Sequence, residues 1–250
     1  YTYLHRVLDS LEEEGLYFLH PEELDVKTKT WLRHYFEEQI YPVVTPLAVD
    51  SGHPFPFLAN HTINTIVRIF QVQSDGTKDY KIAILPIPSV LDRIIEVPTP
   101  SNKTHHFVYL EDVINFYAIQ FFQGYGIEES MTFRLTRDAD LEIAEEDTKD
   151  LLTEVEASLR RRRRGDAVRL EVAGEGSPEL LSTVLKSVEL EKKDVYHIDG
   201  HLDCRMYFDF SNYPGYDYMR YKPFESKTPS DLIGFEGENL LDVIRERDIF

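Results

Sequence analysis

The sequence predicts an α+β fold, a sheet with helices packed on it, and three observations in its central stretch carry that expectation. Residues 131–136 alternate apolar and polar, with Met131, Phe133 and Leu135 against Thr132, Arg134 and Thr136. That is the period of a strand with one buried face. Residues 145–164 change to helical spacing, with Leu151, Leu152, Val155 and Leu159 on one apolar stripe. Glu145, Glu146 and Asp147 open that helix and Arg160 to Arg164 close it, each the charge that its end of the dipole favours. Gly165 supplies a left-handed terminus, and Val168, Leu170 and Val172 alternate again as a second strand.

The elements on either side follow in order. Residues 1–14 read as a helix with Leu4, Val7, Leu8 and Leu11 on one face, stopped by Gly15. Starting inside a helix points to sequence upstream. Leu16 to Leu19 reads as an apolar link. Asp25 caps a second helix to Ile40, with Trp31, Leu32, Tyr35, Phe36 and Ile40 as its apolar face and Pro42 beyond it. The prolines at 42, 46, 54 and 56 hold residues 41–60 extended, and that segment is too apolar to be a solvated linker. It is expected to pack on the domain that follows and to mark its boundary. Ile63 to Gln73 and Tyr80 to Ile87 form a hairpin around Ser74-Asp75-Gly76-Thr77. His106 to Leu110 is a short strand, and Glu111 to Phe122 a helix ended by Gly124. Ser177-Pro178-Glu179 opens a helix running to Val188, with proline at its first position. Asp194 to Ile198 is a strand. Residues 203–229, with five tyrosines, read mostly as loop, and Asn239 to Arg247 as a short helix.

Composition narrows the classes. The chain has 250 residues, enough for one large domain or two small ones. No apolar run approaches the roughly 18 residues of a membrane span. A single cysteine, Cys204, excludes an internal disulfide and fits a reducing compartment. A net charge of −18 argues against the whole surface binding nucleic acid, an anionic membrane or a phosphate polymer. An anion site has to be a local basic patch.

Candidate chemistry is sparse. No Gly-rich phosphate loop, His-Glu-x-x-His or Gly-x-Ser-x-Gly occurs. Cys204 alone excludes a thiolate zinc site. The adjacent pair His105-His106, on a strand, points its rings to opposite faces. Asp138, Asp140 and Glu142 alternate along one strand face, either as ligands for a divalent cation or as a turn and a solvated face. Arg134 and Arg137 beside them either bind a phosphate substrate or neutralise those acids. Arg160 to Arg164 either grip an anion or, fanning out from a helix end, pair with local acids such as Glu156.

A set of ordered motifs adds a resemblance. Tyr41-Pro-Val-Val-Thr-Pro-Leu-Ala-Val-Asp, His53-Pro-Phe-Pro-Phe-Leu, Phe133-Arg-Leu-Thr-Arg-Asp-Ala-Asp-Leu-Glu-Ile, Arg162-Arg-Arg-Gly-Asp-Ala-Val-Arg-Leu-Glu-Val, Val195-Tyr-His-Ile-Asp-Gly and Ile244-Arg-Glu-Arg-Asp-Ile occur in sequence. Together they closely resemble the type-1 polyphosphate kinase family over essentially the whole chain. The resemblance implies a bacterial homo-oligomeric phosphotransferase, cytoplasmic or membrane-peripheral. Such an enzyme moves the γ-phosphate of ATP reversibly onto inorganic polyphosphate, through a phosphohistidine and with Mg2+. A histidine ring nitrogen is nucleophilic near neutral pH, which suits that role. The resemblance further implies that residues 1–40 are a helical hairpin, the tail of an all-α N-terminal domain. Residues 41–228 would be a two-layer middle, or head, domain, and 229–250 the lead into the first catalytic domain. The family's phosphorylated histidine, magnesium-binding arginines and most nucleotide contacts lie beyond the last of these motifs. No catalytic, cofactor-binding or metal-binding residue is therefore expected here, and Arg134 and Arg137 are the substrate-binding candidates. ATP/ADP and polyphosphate would be engaged by other domains, and no nucleic acid. Two other readings stay open: a stand-alone dimerisation module, and a polyanion-binding domain using Arg160 to Arg164.

Overall fold

The computed structural model describes residues 2–50, 52–101, 103–138, 165–225, 241, 244 and 245. The expected helix over 145–164, Asp140, Glu142, the arginine run and most of 229–250 lie outside the described residues. The chain divides into two compact units, Tyr1–Met206 and Tyr207–Phe250.

The first unit is α+β and holds two sheets. The larger has six strands in the order β2 (Leu47–Val49), β4 (Lys78–Pro86), β3 (Ile63–Val72), β7 (Gly126–Arg137), β8 (Ala167–Ala173), β9 (Val195–Ile198). All neighbours are antiparallel except β8 and β9. The smaller sheet orders β1 (Leu16–Phe18), β6 (His105–Tyr109) and β5 (Ile94–Val97). The expected apolar link at Leu16 is therefore a strand, paired parallel with β6. Its three residues are too few for alternation to be visible in the sequence.

Alternation places the cores. On one face of the large sheet Met131, Phe133 and Leu135 of β7 meet Ile66, Ile84, Leu170 and Val172. Helix α4 (Pro178–Val188) covers that face with Leu180, Val184 and Leu185. Ser177 caps it, accepting from the Leu180 amide at 3.2 Å. On the other face Val67, Ile69 and Leu85 meet Val108 of the small sheet, together with helices α2 (Val26–Tyr35) and α3 (Leu110–Phe116). The large sheet is thus covered on both sides, one layer more than a sheet with helices on a single face.

Local chemistry explains most element ends. Helix α1 (Thr2–Glu13) stops at Gly15, whose φ of +85° a side chain rarely adopts. Asp25 caps α2 by accepting from the Lys27 and Thr28 amides at 2.8 and 3.0 Å. Beyond Tyr35 the helix widens into one π turn, Phe36–Ile40, which buries both Phe36 and Ile40 completely. The 41–60 segment packs on the sheet as expected: β2 pairs with β4, and Val44 and Leu58 are buried. The boundary expected at residue 41 falls inside the first compact unit, because Leu32, Phe36 and Ile40 share a core with the strands. Helix α3 ends at Phe116, earlier than its spacing predicts, and a 3-10 turn follows at Ala118–Phe121. There Tyr117 turns inward to pack on Phe36, ring centroids 4.8 Å apart. Gly165 has φ +49°, and a side chain there would run into the Asp138 carbonyl.

A short helix, α5 (Met206–Phe210), and a 3-10 turn, Asp217–Met219, interrupt the expected loop. The rings of Phe210, Tyr213, Tyr216 and Tyr218 follow one another at centroid spacings of 5.7, 5.9 and 6.0 Å.

Phe133 and Phe36, both fully buried, sit in different cores. Phe133→Ala and Phe36→Ala are each expected to cost about 3–5 kcal/mol in urea unfolding. Tyr3→Ala, at an exposed ring, should stay within about 0.5 kcal/mol.

Candidate functional site

Among the described residues a dense polar arrangement lies where the chain leaves β9 and runs as a strap, residues 199–206, toward the end of the first unit. Asp199-Gly200 turns the chain, and Asp203 takes a left-handed φ of +61°. Three groups of charged side chains hold this strap.

Arg93, between β4 and β5, is the first. It donates through Nε to Glu111 at 3.3 Å and pairs with the other Glu111 oxygen through a terminal nitrogen. Its two terminal nitrogens also donate to the carbonyls of Asp203 and Leu202, both at 2.8 Å. Glu111 is 3% exposed, so its charge is compensated inside the fold.

Arg134 is the second. It faces Glu171 directly across the β7–β8 register and donates to it at 2.5 Å. A second nitrogen lies 3.4 Å from Asp203. Arg169 also reaches Glu171, at 3.0 Å, while its guanidinium stacks over Tyr196 at 4.1 Å. Arg205 closes on Asp203 with two nitrogens. The hydrogen bonds from Arg205, opposed by burial and aided by Arg134, hold the Asp203 carboxyl at about 2.

The third is a pair of histidines on one carboxylate. His201 Nε2 lies 2.9 Å from Asp112 Oδ2, and His20 Nδ1 lies 3.3 Å from the same oxygen. The His201 ring rests on Tyr109, centroids 3.7 Å apart. Burial alone would raise the Asp112 carboxyl, but the bonds from His20 and His201 outweigh it and bring it to about 2.

The expected substrate-binding arginines do not converge. Arg134 belongs to the strap network. Arg137 donates instead to the carbonyls of Leu58 and Gly165, at 2.8 and 2.9 Å, and stacks over Phe57. Burial lowers its affinity for the proton, against the pull of Asp166. A phosphate reaching either guanidinium would have to displace these partners. His105 and His106 diverge as the strand geometry requires: His105 meets Glu96 at 2.8 Å, and His106 lies edge-on to Tyr17. Among the described residues no group of three His, Cys, Asp or Glu side chains could hold a metal.

A second polar place, a cavity of about 410 Å³, opens on the α4 side. Arg68 lies over the Tyr80 ring at 4.2 Å and is enclosed by Glu128, Glu129 and Glu179. Its positive charge is spent on those acids. Sequence reasoning missed both places, because their partners lie tens of residues apart and no local pattern brings them together.

A family model described as the polyphosphate kinase middle domain matches residues 27–210. The chain is similar to the polyphosphate kinase of Halalkalibacterium halodurans, 38% identical over 252 residues, covering all of this chain and 35% of that protein. It is also similar to the polyphosphate kinase of Pseudomonas aeruginosa PAO1, 33% identical, covering 97% of this chain and 35% of that protein. The crystal structure of polyphosphate kinase from Porphyromonas gingivalis shares the fold, with a TM-score of 0.69 at 20% identity, over 98% of this chain and 34% of that one. The chain thus spans about a third of the length of the curated relatives it matches.

The strap network makes two predictions. Glu111→Ala and Arg93→Ala are each expected to cost about 3 kcal/mol, and the double variant clearly less than their sum, in a urea double-mutant cycle. Asp203 and Asp112 have depressed carboxyls. Their stabilisation is full above the unfolded value of about 4 and is lost as pH falls toward about 2. The stability deficit of Asp203→Asn, followed by circular dichroism in urea, should be largest at neutral pH and shrink as pH falls from about 4 toward about 2, because only the wild type loses this contribution.

Proposed function

The chain belongs to the polyphosphate kinase middle-domain family, and from that membership we propose that the whole protein transfers the γ-phosphate of ATP reversibly to inorganic polyphosphate. The match over residues 27–210 carries the reading. In this mechanism a histidine nitrogen attacks the γ-phosphorus, the bond to the ADP oxygen breaks, and the resulting phosphohistidine passes its phosphoryl group to a terminal polyphosphate oxygen. Magnesium screens the phosphate charges when bound. The chemistry belongs to domains other than this one. The middle domain supports subunit association in a homo-oligomer and borders the approach to the active site, in a cytoplasmic or membrane-peripheral enzyme. No helix among the described residues is long and apolar enough to cross a membrane.

The surroundings of the histidines support a non-catalytic role. A phosphoryl-accepting histidine needs cationic donors around it to hold the oxygens of the transferred group. Six of the nine histidines instead lie within 4.0 Å of a carboxylate: His5, His20, His34, His53, His105 and His201. Those carboxylates repel a polyphosphate.

The test is phosphoryl labelling. The 250-residue chain, incubated with γ-labelled ATP and magnesium, should take up no acid-labile, base-stable label. A longer chain continuing past Phe250 should take it up. Stoichiometric label on the 250-residue chain would put the nucleophile on one of its own histidines and end this reading.

A further inference from the structure

We propose that Arg169 of β8 and Arg205 of the strap form an anion-binding patch for a linear chain of condensed phosphates. They are the two ends of one row of alternating charge. Arg169 donates to Glu171 at 3.0 Å, and Glu171 accepts from Arg134 at 2.5 Å. Arg134 lies 3.4 Å from Asp203, and Arg205 closes on Asp203 from the other side. Three guanidiniums against two carboxylates leave the row one positive charge in excess, in a chain that carries −18. The neighbouring Arg93–Glu111 pair is neutral and does not change that count. The excess also faces outward. The Glu171 and Asp203 side chains are 9% and 11% exposed, with Arg134 between them at 17%. Arg169 and Arg205 are 42% and 70% exposed. An approaching anion thus meets guanidinium, with the carboxylates beneath.

Neither end is used up by the protein. Arg169 gives one terminal nitrogen to Glu171 and rests over the Tyr196 ring at 4.1 Å, while its Nε has no hydrogen-bond partner. Arg205 gives Nε and one terminal nitrogen to Asp203, its one partner among the described residues. Arg93 differs, since a carboxylate and two carbonyls engage it, and so does Arg68 inside its three carboxylates. Both ends are nonetheless held in place before any ligand arrives. Tyr196 of β9 supports the plane of Arg169, and Asp203, at its left-handed φ of +61°, orients Arg205. A preset fork loses less freedom on binding than a free side chain. Three charged groups separate the two ends. A compact oxyanion meets one end, whereas a linear triphosphate extends from one toward the other and gains charge-assisted bonds at both. The choice of condensed phosphate over other extended oxyanions rests on the phosphotransfer reading. The patch itself rests on charge and geometry.

Isothermal titration calorimetry of the 250-residue chain with tripolyphosphate, free of magnesium and at low ionic strength, tests it. Saturable binding is expected, and added salt should weaken it. Arg169→Gln and Arg205→Gln should each weaken it about two- to fivefold, the scale of one exposed ion pair. Each variant leaves Arg134 on the carboxylate concerned, so no buried acid is stranded. Arg33→Gln removes the same charge from an exposed place on α2 and should leave binding unchanged. ATP as a second ligand separates two sources of a triphosphate. Equal binding of both supports a patch that reads the phosphate chain alone, and tighter binding of tripolyphosphate supports one that needs both chain ends free. The absence of saturable binding would overturn the patch. So would binding of ATP without tripolyphosphate, full affinity in the Arg169→Gln, Arg205→Gln double variant, or an equal loss in Arg33→Gln. No readout here involves phosphoryl transfer, so this failure and that of the labelling experiment are told apart.

Discussion

The first half of strand β3 has no solvent face. Residues 63–67 are buried one after another, and every larger feature of the first unit answers to that constraint. A strand buried on both sides needs a cover on each. Helix α4 supplies one, and α2, α3 and the small sheet supply the other. The strand also carries polar side chains into the interior, and these are satisfied within it. Thr65 meets the Thr132 hydroxyl at 3.0 Å, which Asn115 in turn reaches at 3.1 Å. Asn64 donates to the Thr62 carbonyl at 3.1 Å. Such bonds add little net stability, yet leaving a partner unmade would cost about 1–3 kcal/mol, so they fix the β3–β7 register more than they strengthen it.

The strap is held by a different physics. Where the cores are apolar and indifferent to sequence detail within a volume, the strap depends on directional charge. Arg93 bonds a buried carboxylate and two strap carbonyls together. A fork of donors fixed in one plane can do this, while a lysine point charge cannot. Burying such a pair yields little net stability compared with apolar packing, but removing one member strands the other. The network therefore specifies the path of residues 199–206 and penalises alternatives to it.

Periodicity made most of the first unit legible before any coordinates. The alternation at 131–136 and 168–172, the Asp25 and Ser177 caps and the hairpin at Ser74–Thr77 each fix a local conformation through residues adjacent in the chain. Where the sequence was mute, the deciding partner was remote. Leu16–Phe18 is a strand because β6 is there to pair with it. Helix α3 stops early because Tyr117 finds Phe36 across the core. Arg134 was singled out as a possible ligand for phosphate, but its pairing with Glu171 depends on a strand register that composition does not encode. Residues 203–206 of the strap fall within the expected loop because their order comes from remote side chains, Arg134 on β7 and Arg93 in the β4–β5 connection.

The distribution of charge gives the scaffold reading its physical footing. The chain carries −18 overall, so a phosphate polymer approaches it against a repulsive field unless a local patch reverses the sign. Among the described residues, Arg68, Arg134 and Arg93 do not supply that reversal. Arg68 is enclosed by three carboxylates, Arg134 by two, and Arg93 by one carboxylate and two carbonyls. Each guanidinium is already saturated by partners that also order the backbone. Displacing them for a phosphate would trade structure for binding, with the freed carboxylates left beside the incoming anion. Guanidinium groups used this way are fasteners. A domain built with such fasteners can present a rigid surface to its neighbours, and that is the property the proposed role in subunit association requires.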